Sequence, residues 1–293
     1  MKLLILKLIS LTILAMCDLK KHQIKKNGID EDDRIVGGET VYINKYPFLV
    51  HLMEFVVEAF LPDRRTPKIV AVGDWHFVCG GSIVAISWAL TAAHCIYEKD
   101  PEIEYGRLSF RANTTYSDIK VNKSVSNHKV LSFKIPDCYR HTRHDCDLSV
   151  VKVEKPFRGV DIKPIPLAPY NYNYRDHTKS AFVYGWGASK TGGNRTRALQ
   201  RIKAFIVPTH ICYMMSGSST WIMTQNMFCT VEPKGQGACK GDEGGPIVKD
   251  NIQIGVASLV AHMCGDGQPT LYTKLSKFSK WIEQITKSRT NRQ

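Results

Sequence analysis

Gly241-Asp242-Glu243-Gly244-Gly245-Pro246 sets two adjacent carboxylates among glycines and a proline. Two earlier runs belong with it. Thr91-Ala92-Ala93-His94-Cys95 carries an imidazole, and Asp145-Cys146-Asp147-Leu148-Ser149-Val150 carries an acid ahead of an apolar stretch. Around these runs, from Ile35 onward, short apolar segments alternate with Gly, Pro, Asn and Asp. Pro47–Met53, Trp75–Trp88, Leu148–Val153, Ser180–Trp186 and Ile252–Leu259 are examples, punctuated by Gly80-Gly81 and Gly235–Gly237. Many short strands with turn signals indicate an all-β sandwich or a pair of barrels. One helix is expected at the end, where Leu275, Phe278, Trp281, Ile282 and Ile285 recur at three- and four-residue spacing. His51 to Asp74, with its Pro- and Arg-rich middle, reads as a long exposed loop or an excursion of the flanking strands, and Val130–His144 as a second long connection.

The chain has 293 residues and a net charge of +13. Residues 1–17 begin with Lys2, continue apolar and end in Ala15-Met16-Cys17, which reads as a secretory signal peptide. No later segment is apolar enough to cross a bilayer, so stable membrane insertion is not expected. Residues 18–34 read as a flexible, highly charged pro-segment, and 35–293 as the folded domain. Lys2 and Lys7 leave with the leader, and residues 18–34 carry five basic and five acidic side chains, so the domain keeps +11. That charge suits an anionic glycan or surface. No nucleic-acid motif accompanies it.

Beyond Cys17 stand eight cysteines: Cys79, Cys95, Cys138, Cys146, Cys212, Cys229, Cys239 and Cys264. An even count in a secreted chain suggests four disulfides, and eight cysteines allow about 105 pairings. Asn113, Asn122 and Asn194 head Asn-x-Ser/Thr sites and would mark exposed loops if glycosylated.

A hydroxyl nucleophile acting on a peptide needs a base, a group that orients the base, and donors facing the oxyanion. His94 is the candidate base and Asp147 its orienter. The candidate oxyanion donors are backbone N–H groups around Gly241 and Glu243. The order histidine, aspartate, nucleophile separates one triad fold from the others. With Ile35-Val36-Gly37-Gly38 and Gly185-Trp186-Gly187, these runs make residues 35–288 resemble the trypsin-like serine proteases of the chymotrypsin fold. The resemblance implies two six-stranded antiparallel β-barrels, with the site in the cleft between them, and a C-terminal helix. It implies disulfides Cys79–Cys95, Cys212–Cys229 and Cys239–Cys264, which leaves Cys138 and Cys146 to close a small loop ahead of Asp147. It also implies activation by cleavage between Arg34 and Ile35, after which the new amine pairs with Asp242.

The chain departs from that family at the nucleophile, where Glu243 stands in place of serine. A carboxylate is a poor nucleophile towards an amide. Beside His94 it would be expected to form an ion pair and hold the imidazole charged. No metal is expected, because the family geometry sets Asp147 behind His94 rather than converging on a shared ion; no cofactor is expected either. The substrate pocket departs too. Gly237 replaces the aspartate at its base, Val260 and Thr270 replace wall glycines, Ser258 is retained, and Leu259 stands where a tryptophan is usual. The expectation is a secreted, non-catalytic homologue that binds an extracellular protein, such as a component of an immune or clotting cascade. The candidate surfaces are the loops Phe60–Lys68 and Ser132–His144. The alternatives are a weak or atypical hydrolase, and a basic glycosaminoglycan- or surface-binding protein.

Overall fold

The computed structural model describes residues 37–62, 69–104, 106–118, 125–159, 161–175, 180–216, 223–260 and 263–287. The leader, the pro-segment, Arg34 and Ile35 lie outside the described residues, as does Asn122. Thirteen strands form two sheets. β2 (Leu49–Pro62), β3 (Ile69–Ala85), β4 (Trp88–Thr91), β5 (Leu108–Ala112), β6 (Ser126–Lys134) and β7 (Ser149–Val153) close a barrel in the order β2-β3-β4-β7-β6-β5. The second sheet contains β1 (Glu39–Thr40), β8 (Ala181–Gly185), β9 (Gln200–Val207), β10 (Met227–Val231), β11 (Pro246–Lys249), β12 (Ile252–Leu259) and β13 (Thr270–Lys274). Its order is β1-β9-β10-β13-β12-β11-β8, and β8 pairs back onto β9. Six strands therefore complete a near-barrel ring, with β1 as a seventh strand on β9.

Alternation explains the half-buried strands. On β9, Gln200, Ile202, Ala204 and Ile206 are buried, while Lys203 and Phe205 face outward, the period of two that a pleated strand imposes. β12 is buried at every position from Gln253 to Ser258, because the ring core and the seam between the sheets cover both of its faces. Across that seam the Ser82 hydroxyl donates to Gln253 Oε1 at 2.7 Å, and Gly80 N–H donates to the Glu243 carbonyl at 2.8 Å. Gly81 has no room for a side chain, since a Cβ there would lie 2.9 Å from both the Leu90 carbonyl oxygen and the Phe110 ring.

The terminal helix spans Leu275–Lys287 and buries Leu275, Phe278 and Ile282, as its spacing predicts. Two shorter helices, Asp100–Glu104 and Thr209–Ser216, were not signalled by periodicity.

The first expected long loop is mostly strand. β2 and β3 pair from Leu49↔Ser82 to Pro62↔Ile69, whereas β5 pairs β2 only from Val50 to Glu54. Beyond Glu54 the hairpin leaves the barrel as a two-stranded ribbon. Phe55 and Trp75 close its base edge to face, with centroids 5.5 Å apart. The register slips between Val57 and Ala59, and Gly73 meets that bulge, where a Cβ would lie 1.9 Å from the Val56 carbonyl. Val56, Phe60, Leu61, Ile69 and Val72 are exposed along it. The second expected connection is also shorter, because β6 runs to Lys134.

One carboxyl inside the ring is costly. Glu232 is buried, and Thr230 Oγ1 donates to its side chain at 2.8 Å. Burial pushes its pKa from 4.5 to about 7. A raised acid pKa means stability that is full below about pH 4.5 and lost as pH rises towards 7. Glu232→Gln keeps an acceptor for Thr230 without the charge. Thermal unfolding across pH should show the variant close to wild type at pH 4.5 and more stable by roughly 1–3 kcal/mol above pH 7. A stability difference that does not change with pH would refute this assignment.

Candidate functional site

His94 lies in a 3-10 turn, Ala93–Cys95, directly after β4, and Cys95 is bonded to Cys79 on β3. Asp147 stands just ahead of β7. Its neighbour Asp145 accepts hydrogen bonds from Thr224 Oγ1 at 2.6 Å and Asn226 Nδ2 at 3.0 Å, pinning the approach to the second sheet. Glu243 occupies a tight turn before β11. Gly244 adopts φ +77°, and a Cβ there would lie 2.3 Å from Thr91 Oγ1 and 2.5 Å from the Gly80 carbonyl. The turn is thus wedged against the first barrel beside His94, which is why glycine is needed after Glu243.

His94 and Asp147 form a hydrogen-bonded pair. Asp147 is fully buried. Its Oδ2 lies 2.7 Å from His94 Nδ1, and its Oδ1 accepts the His94 backbone N–H at 2.9 Å. Ser258 Oγ donates to Oδ2 at 2.6 Å. Burial alone would raise the Asp147 pKa, but the imidazoles of His144 and His94 and the Ser258 hydroxyl hold it well below the ordinary carboxylate range. Burial also opposes a charged His94. The bond and charge of Asp147, together with the charge of Glu243, outweigh it and raise the His94 pKa.

His144 was not singled out in the sequence. Its Nδ1 sits 3.5 Å from Asp147 Oδ2, and its ring meets that of His94 edge to face at 5.3 Å. The run His141-x-x-His144-x-x-Asp147 was the available signal. It was obscured because the backbone turns left-handed at His144, φ 51°, and at Cys146, φ 53°, so a regular spacing does not fix a common face.

Glu243 is half-buried and does not form the expected ion pair; no salt bridge joins it to His94 among the described residues. Instead its Oε2 accepts the Gly241 N–H at 2.6 Å. That N–H is one of the donors the resemblance assigns to an oxyanion. A charge-assisted bond two residues away in the same turn is local and well aligned, so it wins over a contact across the cleft. Arg195 lies over the Phe77 ring at 4.6 Å and lines the same turn, with its Nε 3.0 Å from where a Gly241 Cβ would be. It too was missed, since nothing near Arg195 in the sequence points to Gly241.

Asp242 is fully buried. Gly187 N–H donates to its Oδ1 at 2.8 Å, and Cys239 N–H to its Oδ2 at 2.9 Å. The carboxylate presses on Gly185 and Gly187, where Cβ atoms would come within 2.1 and 2.3 Å of its oxygens. This explains the glycines on either side of Trp186. Burial raises the Asp242 pKa to about 7, against the two N–H bonds. Its expected partner, the Ile35 amine, lies outside the described residues.

At the pocket positions, Gly237 and Thr270 are buried and Val260 is half-buried against the core. A Cβ on Gly237 would lie 2.9 Å from the backbone nitrogen of Gly265. The chain around the Cys239–Cys264 bridge therefore closes over the place where an aspartate would stand. The four disulfides are Cys79–Cys95, Cys138–Cys146, Cys212–Cys229 and Cys239–Cys264.

Of the glycosylation candidates, Asn194 is exposed, but Asn113 is half-buried at φ 58°. The threonine of the latter site, Thr115, is buried and accepts the Ile43 N–H at 3.1 Å. In the second candidate loop, Arg140, His141 and Arg143 are all exposed, and the Arg140 guanidinium donates to the carbonyls of Asp137 and Tyr139. No helix among the described residues is long and apolar enough to cross a membrane.

Comparison with known proteins agrees with this geometry. The chain is 30% identical to "Trypsin" of Phaedon cochleariae over 215 residues, 72% of this chain and 80% of the relative. It is 29% identical to "Chymotrypsin-2" of Vespa crabro over 251 residues, 85% of this chain and 99% of the relative. "Serine protease SP24D" of Anopheles gambiae is also 29% identical over 251 residues, covering 85% and 80% of the two chains. The family described as Trypsin matches residues 35–282. With two antiparallel β-domains meeting at the His94–Asp147 pair, the chain belongs to the trypsin family.

Proposed function

We propose that this protein is a secreted, non-catalytic member of the trypsin family that works by binding another extracellular protein. One observation carries the reading: the Glu243 carboxylate, at the nucleophile's position, accepts the Gly241 N–H. Three consequences follow. No hydroxyl stands where attack must begin. A donor needed for a developing oxyanion is already bonded to a full negative charge, and a second anion there would be repelled. The imidazole that must act as a free base is held towards its charged form. Loss of the nucleophile alone costs on the order of 10⁶ in turnover in an unrelated protease fold.

The surface supports a binding role. The β2–β3 ribbon presents Phe60, Leu61 and Ile69 to solvent, with Ile69 73% exposed. Apolar side chains grouped on a protruding element suit a protein partner. A component of a proteolytic cascade in immunity or clotting is the partner class that the family resemblance implies. Cleavage at Arg34 would act in this reading as a conformational switch rather than as the release of an activity. The +11 domain also supports a second contact, with anionic glycans.

Three measurements test these readings. Protein cleaved after Arg34 should hydrolyse no Lys, Arg, aromatic or small-residue ester above a catalyst-free control. Turnover that survives purification and vanishes in His94→Ala would overturn the inactive assignment. Glu243→Ser should remain orders of magnitude below an ordinary trypsin, because the backbone at Gly265 still closes the pocket base; efficient cleavage after Arg would refute this. On a heparin column the domain should elute well after a size-matched neutral protein, and elution at low salt would remove the glycan contact.

A further inference from the structure

We propose that His94, His144 and Asp147 form a binding site for zinc or a similar borderline divalent metal. Each of the three residues offers one ligand atom, and these atoms lie within 4.8 Å of one another. Asp147 Oδ2 is the hub, 2.7 Å from His94 Nδ1 and 3.5 Å from His144 Nδ1. Around a tetrahedral zinc with bonds of about 2.0–2.1 Å, neighbouring ligand atoms stand about 3.4 Å apart. The His144 side of the cluster already has that spacing. The His94 side needs to open from 2.7 Å to about 3.4 Å, a movement of a ring that is 21% exposed.

His144 Nδ1 is a buried nitrogen without a hydrogen bond of good geometry, although it lies within ion-pair distance of Asp147. The atom is aimed at the carboxylate but is too far away to bond well. A cation placed between them satisfies both. Two imidazoles and one carboxylate are the nitrogen-and-oxygen set that zinc takes, with a water completing four-coordination. Ser258 Oγ, bonded to Asp147 Oδ2 at 2.6 Å, fixes the orientation of the carboxylate that would hold the ion. Cys79 and Cys95 lie close by but are joined in a disulfide and donate nothing. Glu243 adds a negative charge that acts on His94, so the cleft favours a cation more than one with serine there.

Binding needs both Nδ1 lone pairs. His94 releases to solvent the Nδ1 proton it shares with Asp147, and His144 carries its remaining proton on Nε2. No oxidation or bond cleavage is involved. The sequence expectation of no shared ion rests on Glu243, His94 and Asp147, without His144. The left-handed turn at His144 brings in the third ligand.

The test is calorimetric titration of zinc into the full mature chain, carrying no oligohistidine tag, with cobalt absorption as a second readout. The expected result is one equivalent bound, with the intense visible bands of tetrahedral cobalt. Affinity should fall at least roughly tenfold in His144→Ala and in His144→Gln, and by roughly 10–100-fold in Ser258→Ala. Far-ultraviolet circular dichroism checks that each variant is folded. Zinc affinity unchanged in folded His144→Ala and His94→Ala, or no binding through millimolar zinc, would overturn the site. Because the readout is metal affinity, it stands apart from whether the protein cleaves peptides.

Discussion

A carboxylate removed from water must be met by donors on every side, and in this molecule that requirement falls on Asp147. The first barrel supplies the His94 backbone N–H and imidazole, and the second supplies the Ser258 hydroxyl. Thr273 of β13 donates to the Asp147 carbonyl at 2.8 Å. The two sheets are therefore tied at one buried charge as well as by apolar packing. Truncating a donor to such a group leaves desolvation uncompensated, which costs more than the bond itself contributes. This gives a structural reason for the pair to persist even where, as proposed, no catalysis needs it.

The same need for satisfaction shapes the neighbouring turn. Asp242 takes two N–H groups, Glu243 takes a third, and the glycines at 185, 187 and 244 make room for that density of carboxylate and backbone. The proposed change from cutting to binding thus needed no rearrangement of the frame. A side chain two residues from Gly241 takes up that residue's N–H within its own turn.

Much of this was legible in the sequence. Spaced apolar runs and glycine punctuation indicate an all-β chain, and the ordered His94, Asp147 and Gly241–Pro246 runs indicate the trypsin-like fold. The departures at Glu243, Gly237 and Thr270 are visible as letters. What the letters do not carry is direction. Whether Glu243 turns to His94 or to Gly241 depends on competing bonds in three dimensions. His144 enters the site through a left-handed residue that periodicity cannot anticipate. The Pro- and Arg-rich stretch after His51 reads as loop because turn residues dominate its middle. Strand pairing nevertheless continues through Pro62 and Ile69, past a bulge between Val57 and Ala59 that faces Gly73.

The close approach of Gly265 to Gly237 has an evolutionary side. With backbone nitrogen 2.9 Å from the missing Cβ, the position admits only glycine until the Cys264 loop itself moves. A lineage returning to a trypsin-like substrate would need the loop to shift before an acidic anchor could be accepted. The loop in turn has no reason to shift while no anchor is there. Each change waits on the other, so the geometry works as a ratchet: restoring a serine is a matter of codons, whereas reopening the pocket requires passing through intermediates that gain nothing.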